Sequence, residues 1–151
     1  MKTAFILILA LIASGISAQE LIDDKNEMCE TLTEMKNKDQ LYRKGEVLES
    51  LMWNKDKYSN KEIDSVWTLQ IKLDNSNTEK LIKLTEHYGW LSDERIDCPK
   101  LNIWIIFRHS QEEYSERITE LIEKENNAKR LSDWHYKLIK NHLNGRPKEI
   151  D

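Results

Sequence analysis

The scarcity of chain-breaking residues constrains the fold of this chain more than any other feature of its sequence. One third of the 151 residues are charged, and apolar residues recur every three or four positions, as they do on the buried face of a helix. Glycine and proline are the residues that most often interrupt such a pattern. After residue 18 they occur only at Gly45, Gly89, Pro99, Gly145 and Pro147. This composition predicts an all-α fold.

The spacing of the apolar residues predicts a single domain of five or six helices. Residues 21–53 have the pattern of one long helix or two in succession, with Gly45 as a weak point. Residues 90–100 are predicted to form a loop. The apolar run at residues 101–107 suits either a buried strand or a buried helix, and the lack of a partner strand favours the helix. Ser132 is expected to cap the last helix.

The middle of the chain carries a predicted helix break. A helix that begins at Asn60 is expected to end at residues 74–77, where Asp, Asn and Ser cluster. Ser76 and Glu79 form a capping-box pattern, in which each side chain bonds the backbone N–H of the other's position. The next helix is therefore predicted to begin there and to end at Gly89, which suits a left-handed helix cap.

The N-terminus has the pattern of a signal peptide. Lys2 provides a positive charge, residues 5–13 are apolar, and small residues precede Gln19. The apolar segment is shorter than the roughly 18 to 20 residues that span a bilayer. We therefore predict cleavage of residues 1–18 and export of residues 19–151 to the periplasm or out of the cell, with no membrane span after cleavage.

The charge balance argues against a nucleic-acid partner. The chain has 23 Lys and Arg against 27 Asp and Glu, a formal net charge of −4, and acids and bases alternate along it. Phosphate-binding faces need clustered Lys and Arg, whereas mixed charges are typical of solvated helix surfaces. The sequence leaves a protein and a small-molecule ligand open as partners.

The two cysteines allow two interpretations. Because export permits disulfides, Cys29 and Cys98 are either bridged or free and buried. Neither lies in the close pairs that zinc sites usually show. His135 and His142 are seven residues apart, about 10 Å along a helix, which is too far for one ion. The sequence predicts no metal site and no cofactor.

Two polar positions are candidates for chemistry. Asp39 and Arg43 are four residues apart, so they share a helical face, with Gln40 beside them. The ordinary explanation of this spacing is a surface ion pair. His109 closes the apolar run 101–107, so it is expected at the edge of the core, where it suits either a general base or a half-buried, hydrogen-bonded histidine.

The order of these motifs resembles a known family. Four segments carry the resemblance: residues 39–43 (Asp-Gln-Leu-Tyr-Arg), 88–90 (Tyr-Gly-Trp), an apolar run ending in His109, and 145–148 (Gly-Arg-Pro-Lys). Their order is similar to the pattern of the family called domain of unknown function 6624, found largely in exported bacterial proteins. The resemblance covers most of residues 27–149. It points to Asp39, Gln40, Arg43, Tyr88, Gly89, Trp90 and His109.

The chain also departs from the family pattern. Leu91 replaces the proline that follows Trp, Arg108 replaces the glutamine before His, and residues 110–111 (Ser-Gln) replace Ala-Asp. The closing Asp-Arg pair is missing near residues 140–141. The resemblance therefore implies that this chain is a divergent member of the family. If the closing residues complete the family's site, this chain has lost that site. The family implies no particular activity.

Two functional hypotheses follow. In the first, which the sequence alone favours, the chain is an exported all-α interaction or ligand-binding module whose polar motif residues hold helices together. In the second it is a hydrolase-like acid–base enzyme that uses His109 with Asp39 and Arg43. The enzyme requires His109 within hydrogen-bond reach of Asp39 or Arg43 in an open cleft. A separation of more than about 10 Å between His109 and both of these residues would exclude the enzyme.

Overall fold

The computed structural model describes residues 24–53 and 57–147, and within these ranges the chain forms helices and no strands. The seven α-helices there are α1 (Lys25–Gln40), α2 (Glu46–Trp53), α3 (Asn60–Tyr88), α4 (Asp93–Ile96), α5 (Trp104–Arg108), α6 (Ser115–Asn127) and α7 (Asp133–Leu143). A 3₁₀ helix, Glu112–Tyr114, leads into α6. The predicted all-α class is confirmed for these ranges. The predicted signal peptide, residues 1–18, lies outside them.

The helix count exceeds the predicted five or six because this part of the chain contains helices of only four and five residues. α4 lies in residues 90–100, so the prediction of a continuous loop there was wrong. Ser92 caps this single turn by accepting a hydrogen bond from the backbone N–H of Arg95 at 3.3 Å. A helix of four residues is too short for an apolar period to reveal it.

The largest difference from the sequence prediction is α3, which runs unbroken for 29 residues. The predicted break at residues 74–77 was wrong, and so was the capping box at Ser76. Polar side chains interrupt a helix when they bond their own backbone, but here they bond other elements. Asn77 Nδ2 donates to the carbonyl oxygen of Met35 on α1 at 2.8 Å. The capping box lies at the true start of α3, where Ser59 pairs with Glu62.

The apolar core lies where α1, α3, α5, α6 and α7 meet. α5 begins inside the apolar run 101–107 and ends at Arg108, which confirms the predicted helix. It packs against both α3 and α7. Its position brings the residues that follow it close to the middle of α3. The side chains with at most 1% exposure include Leu32, Leu81, Ile82, Ile106, Phe107, Ile118, Ile122 and Ile139.

A disulfide joins α1 to the segment after α4. Cys29 and Cys98 are bonded across a sequence separation of 69, with Cα atoms 5.6 Å apart. The disulfide alternative is thus confirmed, and the interpretation of Cys29 as a free core thiol was wrong.

None of the helices in the described part of the chain combines the length and apolar character needed to cross a membrane.

We expect loss of the disulfide to destabilise the fold. In the chain-entropy model a closed loop of this length stabilises the folded state by about 4 kcal/mol, so the Cys29→Ser/Cys98→Ser double variant should unfold at lower denaturant concentration than wild type. Urea unfolding followed by circular dichroism measures the difference. Two reactive thiols in the unfolded, unreduced wild-type protein would contradict the disulfide itself.

Candidate functional site

Asp39 and His109 meet at the junction of α1 and α5. Asp39 lies in the last turn of α1 and is fully buried, and His109 follows directly after α5. The Nδ1 atom of His109 lies 2.8 and 3.0 Å from the two carboxylate oxygens of Asp39. Because an ionised carboxylate only accepts hydrogen bonds, this geometry places the proton on Nδ1. In the neutral imidazole, Nε2 is then an acceptor.

Arg43 anchors this pair by bridging two buried carboxylates. Its Nη1 and Nη2 atoms donate a forked pair of hydrogen bonds to Asp74 on α3, at 2.8 and 2.6 Å. Nη1 also donates to the backbone carbonyl of Asp39 at 2.6 Å, and it lies 3.5 Å from that residue's Oδ1. The surface ion pair expected from the spacing of Asp39 and Arg43 was therefore wrong, because both carboxylates are buried.

Amide side chains complete the network. Gln70 Nε2 donates to the backbone carbonyl of Asp39 at 3.0 Å and to Oδ1 of Asp74 at 2.8 Å. Its Oε1 accepts a hydrogen bond from the backbone N–H of Tyr42 at 3.0 Å. Gln40 donates to the Asp39 carboxylate from the other side. These bonds fix the end of α1 against the middle of α3.

Sequence reasoning missed Gln70 and Asp74, although a signal for them exists. Four polar residues of α3 are buried, and the steps between them are four, three and one residues, as on one helical face: Gln70, Asp74, Asn77 and Thr78. This polar stripe continues the same face that buries Leu81 and Ile82 further along α3. A periodic face that changes from apolar to polar without losing its period indicates a buried polar network.

His109 lines an open cleft of about 370 Å³. Its side chain is 18% exposed, whereas the Asp39 side chain behind it is 1% exposed. Arg43 and Asp74 also line the cleft, as do Trp67 and Ile71 of α3. Ser110, Gln111, Glu112, His142 and Arg146 complete the lining. The imidazole is thus accessible while the carboxylate that orients it is sealed from water.

His142 and Arg146 hold the segment that carries His109. His142 Nε2 donates to the carbonyl of Ser110 at 3.0 Å, and Arg146 Nη2 donates to the carbonyl of Arg108 at 3.0 Å. Arg146 Nε also donates to Nδ1 of His142 at 3.0 Å. The two side chains therefore bind the carbonyls on either side of His109. The sequence did not identify His142 as part of this site, since its partners Ser110 and Arg146 lie in the segments that follow α5 and α7.

The environment of His142 favours its neutral form. Burial is the largest influence and lowers the pKa of this imidazole, and the nearby charge of Arg146 lowers it further. The hydrogen bond to the Ser110 carbonyl acts in the opposite direction but does not reverse the shift. Protonation would place a hydrogen on Nδ1, where Arg146 already donates. The hydrogen bonds by which His142 and Arg146 hold the segment of His109 therefore require a neutral His142.

The motif Tyr88, Gly89 and Trp90 does not join the Asp39 cluster. Gly89 ends α3 with φ of 77°, and a Cβ atom there would lie 2.8 Å from Nε of Arg130. The N–H of Trp90 then donates to buried Glu125 at 2.7 Å, and Arg130 forks onto the same carboxylate. Trp90 lines a separate cavity of about 550 Å³. Gly89 and Trp90 thus pack against a buried ion pair whose residues do not line the cleft of His109.

The Glu125 carboxylate is held ionised by this arrangement. Burial raises its pKa, but hydrogen bonds from Arg130 and from the backbone N–H of Trp90 lower it by more, so the net shift is downward.

Within the described ranges, no group of three or more His, Cys, Asp or Glu side chains is placed to hold a metal ion. His142 bonds Ser110, while His135 stacks on Trp104 with ring centroids 5.5 Å apart.

We expect the stability of the protein to fall as the pH drops below about 6.5, the usual pKa of an unfolded histidine. Burial lowers the pKa of His142 and of His135 in the folded protein, so the unfolded chain binds protons first. The stabilisation is complete above that pH and is lost as the pH falls through the folded pKa values. Thermal unfolding of wild type and His142→Gln between pH 7.5 and 5.5 measures this, and the variant should show the weaker dependence. An equal dependence in both proteins would contradict the assignment.

No family model matches the chain, and neither a curated protein nor a solved structure is significantly similar to it. The resemblance to domain of unknown function 6624 therefore stays a prediction.

Proposed function

We propose that this protein is an exported, hydrolase-like acid–base enzyme in which His109 carries the proton and Asp39 orients it. The observation that carries the proposal is the 2.8 Å hydrogen bond from Nδ1 of His109 to the buried Asp39 carboxylate, at the wall of an open cleft. A carboxylate behind an imidazole selects its tautomer and stabilises the imidazolium that forms during proton transfer.

The chemistry follows from the free nitrogen of His109. In the proposed reaction Nε2 takes a proton from a water molecule in the cleft as the water oxygen attacks an electrophilic carbon of the substrate. The bond from that carbon to the leaving group breaks, and the leaving group receives the proton from the imidazolium. The net reaction is hydrolysis, and it regenerates neutral His109. Asp39 remains ionised throughout.

Arg43 is a positioning residue in this proposal. Its forked bonds to Asp74 and its bond to the Asp39 carbonyl commit the guanidinium to the protein itself. We therefore propose that Arg43 positions Asp39 and does not bind an anionic substrate. Removing it would leave buried carboxylates without a counter-charge.

The alternative of an interaction or ligand-binding module remains a prediction. The buried bonds among Arg43, Asp74 and Gln70 suit it, because they hold helices together. What favours the enzyme is the contrast in exposure between His109 and Asp39, since a purely structural histidine has no need of an open cleft. The Asp39–His109 contact lies far inside the limit of about 10 Å at which the enzyme would be excluded.

Export is supported by the disulfide. A bond between Cys29 and Cys98 is typical of proteins that fold in an oxidising compartment, such as the periplasm or the extracellular space. The proposed signal peptide at residues 1–18 would take the chain there.

The proposal predicts that substitution of His109 removes activity while leaving the fold intact. Wild type, His109→Asn and Asp39→Asn are assayed against a panel of p-nitrophenyl esters and amino-acid p-nitroanilides at neutral pH. Loss of the general base should lower kcat/KM by about 100-fold or more, and loss of the orienting carboxylate should lower kcat by a comparable factor.

His135→Asn is the matched control, because His135 is a partly buried histidine outside the cleft. It should keep wild-type activity, and circular dichroism should show helical content unchanged in all variants. Wild-type turnover by His109→Asn, or no turnover of any panel member by wild type, would contradict the proposal.

A further inference from the structure

Arg146 is the cation that the cleft offers to a ligand. Its side-chain hydrogen bonds go to the neutral ring of His142 and to a backbone carbonyl, and no carboxylate within residues 24–53 and 57–147 forms an ion pair with it. Arg43, in contrast, is neutralised by its fork onto Asp74. A guanidinium whose partners are all neutral retains its full charge for an incoming anion.

The backbone holds Arg146 in place before any ligand arrives. Gly145 and Arg146 both adopt positive φ, 80° and 58°, so the chain turns back as soon as α7 ends. The backbone N–H of Arg146 donates to the carbonyl of Asn141 at 2.8 Å, and Asn141 Nδ2 donates to the carbonyl of Pro147 at 2.9 Å. Because the side chain is also bonded twice, binding an anion would cost little conformational entropy.

The cleft is also lined by apolar side chains that the fold leaves exposed. Trp67 and Ile71 are four residues apart on α3, which places them on one face, and each is 38% exposed. Both line the cleft together with His109 and Arg146. Apolar side chains that are exposed inside a concave site are typical of ligand-binding positions.

We propose that the cleft binds a small carboxylate with an apolar tail, the carboxylate at Arg146 and the tail against Trp67 and Ile71. This inference rests on the proposed function, because it places the ligand beside His109. A volume of about 370 Å³ limits the ligand to a short chain or a single ring. The carboxylate of Asp74, which also lines the cleft, is paired with Arg43. Glu112 is exposed on the 3₁₀ helix, where solvent screens its repulsion of the carboxylate.

The test uses three small probes on the wild-type protein: hexanoate, hexylamine and acetate. Binding is followed by NMR chemical-shift changes at pH 7. Hexanoate should bind with the tightest Kd, acetate should bind about tenfold more weakly for want of the tail, and hexylamine should not compete with hexanoate. Equal binding of hexylamine and hexanoate would overturn the proposal.

Substitutions then locate the probe. Arg146→Gln and Trp67→Ala should each weaken hexanoate binding about tenfold, and Arg146→Lys should restore part of the loss because it keeps the charge. Lys129→Gln and Trp134→Ala are matched controls at exposed positions outside the cleft, and neither should change the Kd. Unchanged binding in both Arg146→Gln and Trp67→Ala would overturn the proposal.

The binding test is independent of catalysis. His109→Asn should bind hexanoate as wild type does, whatever its activity. Loss of turnover in His109→Asn together with no hexanoate binding by wild type would reject the ligand class and leave the enzyme standing. Tight, Arg146-dependent binding by a protein with no turnover would reject the enzyme instead.

Discussion

The forked ion pair between Arg43 and Asp74 is the interaction on which the candidate site depends. Both carboxylates that approach Arg43 are buried, and a buried charge deprived of its partner destabilises a fold by about 3 to 5 kcal/mol. Such a pair often contributes little net stability compared with well-packed apolar residues. Its consequence here is positional: it fixes the end of α1 on α3 and so fixes Asp39, which in turn orients His109.

Four separate parts of the chain converge on this point. α1 provides Asp39, and the middle of α3 provides the acceptor for Arg43. The residue after α5 is His109, and its neighbours are held by His142 in the last turn of α7 and by Arg146 in the turn after it. Each element contributes a polar group to a place that is otherwise apolar. Buried polar groups are costly unless they are paired. The helix packing that pairs the groups of this network is therefore also the packing that forms the cleft.

Much of the helical pattern could be predicted from the sequence, since apolar period and capping residues act locally. The capping role of Ser132 and the helix within residues 101–107 follow from such signals. The unbroken α3 could not be predicted, because Asp74 and Asn77 favour a break until distant partners engage them. For the same reason the sequence could pair Asp39 with His109 only as one of two hypotheses, and their contact appears only in the tertiary structure. Helical spacing can place Gln70 and Asp74 on the buried face of α3, but it does not identify the residues that they bond. The same is true of His142, whose partners lie in other segments.

The tautomer of His109 tests the central claim most directly. Long-range ¹H–¹⁵N correlation spectra of the ¹⁵N-histidine-labelled protein at about pH 8 report which ring nitrogen carries the proton, and His109→Gln assigns the signal. The hydrogen bond to Asp39 predicts a proton on Nδ1 with Nε2 unprotonated, and it predicts that Asp39→Asn abolishes this pattern. A proton on Nε2 in wild type, or a pattern that survives in Asp39→Asn, would contradict an imidazole held by Asp39 for acid–base work.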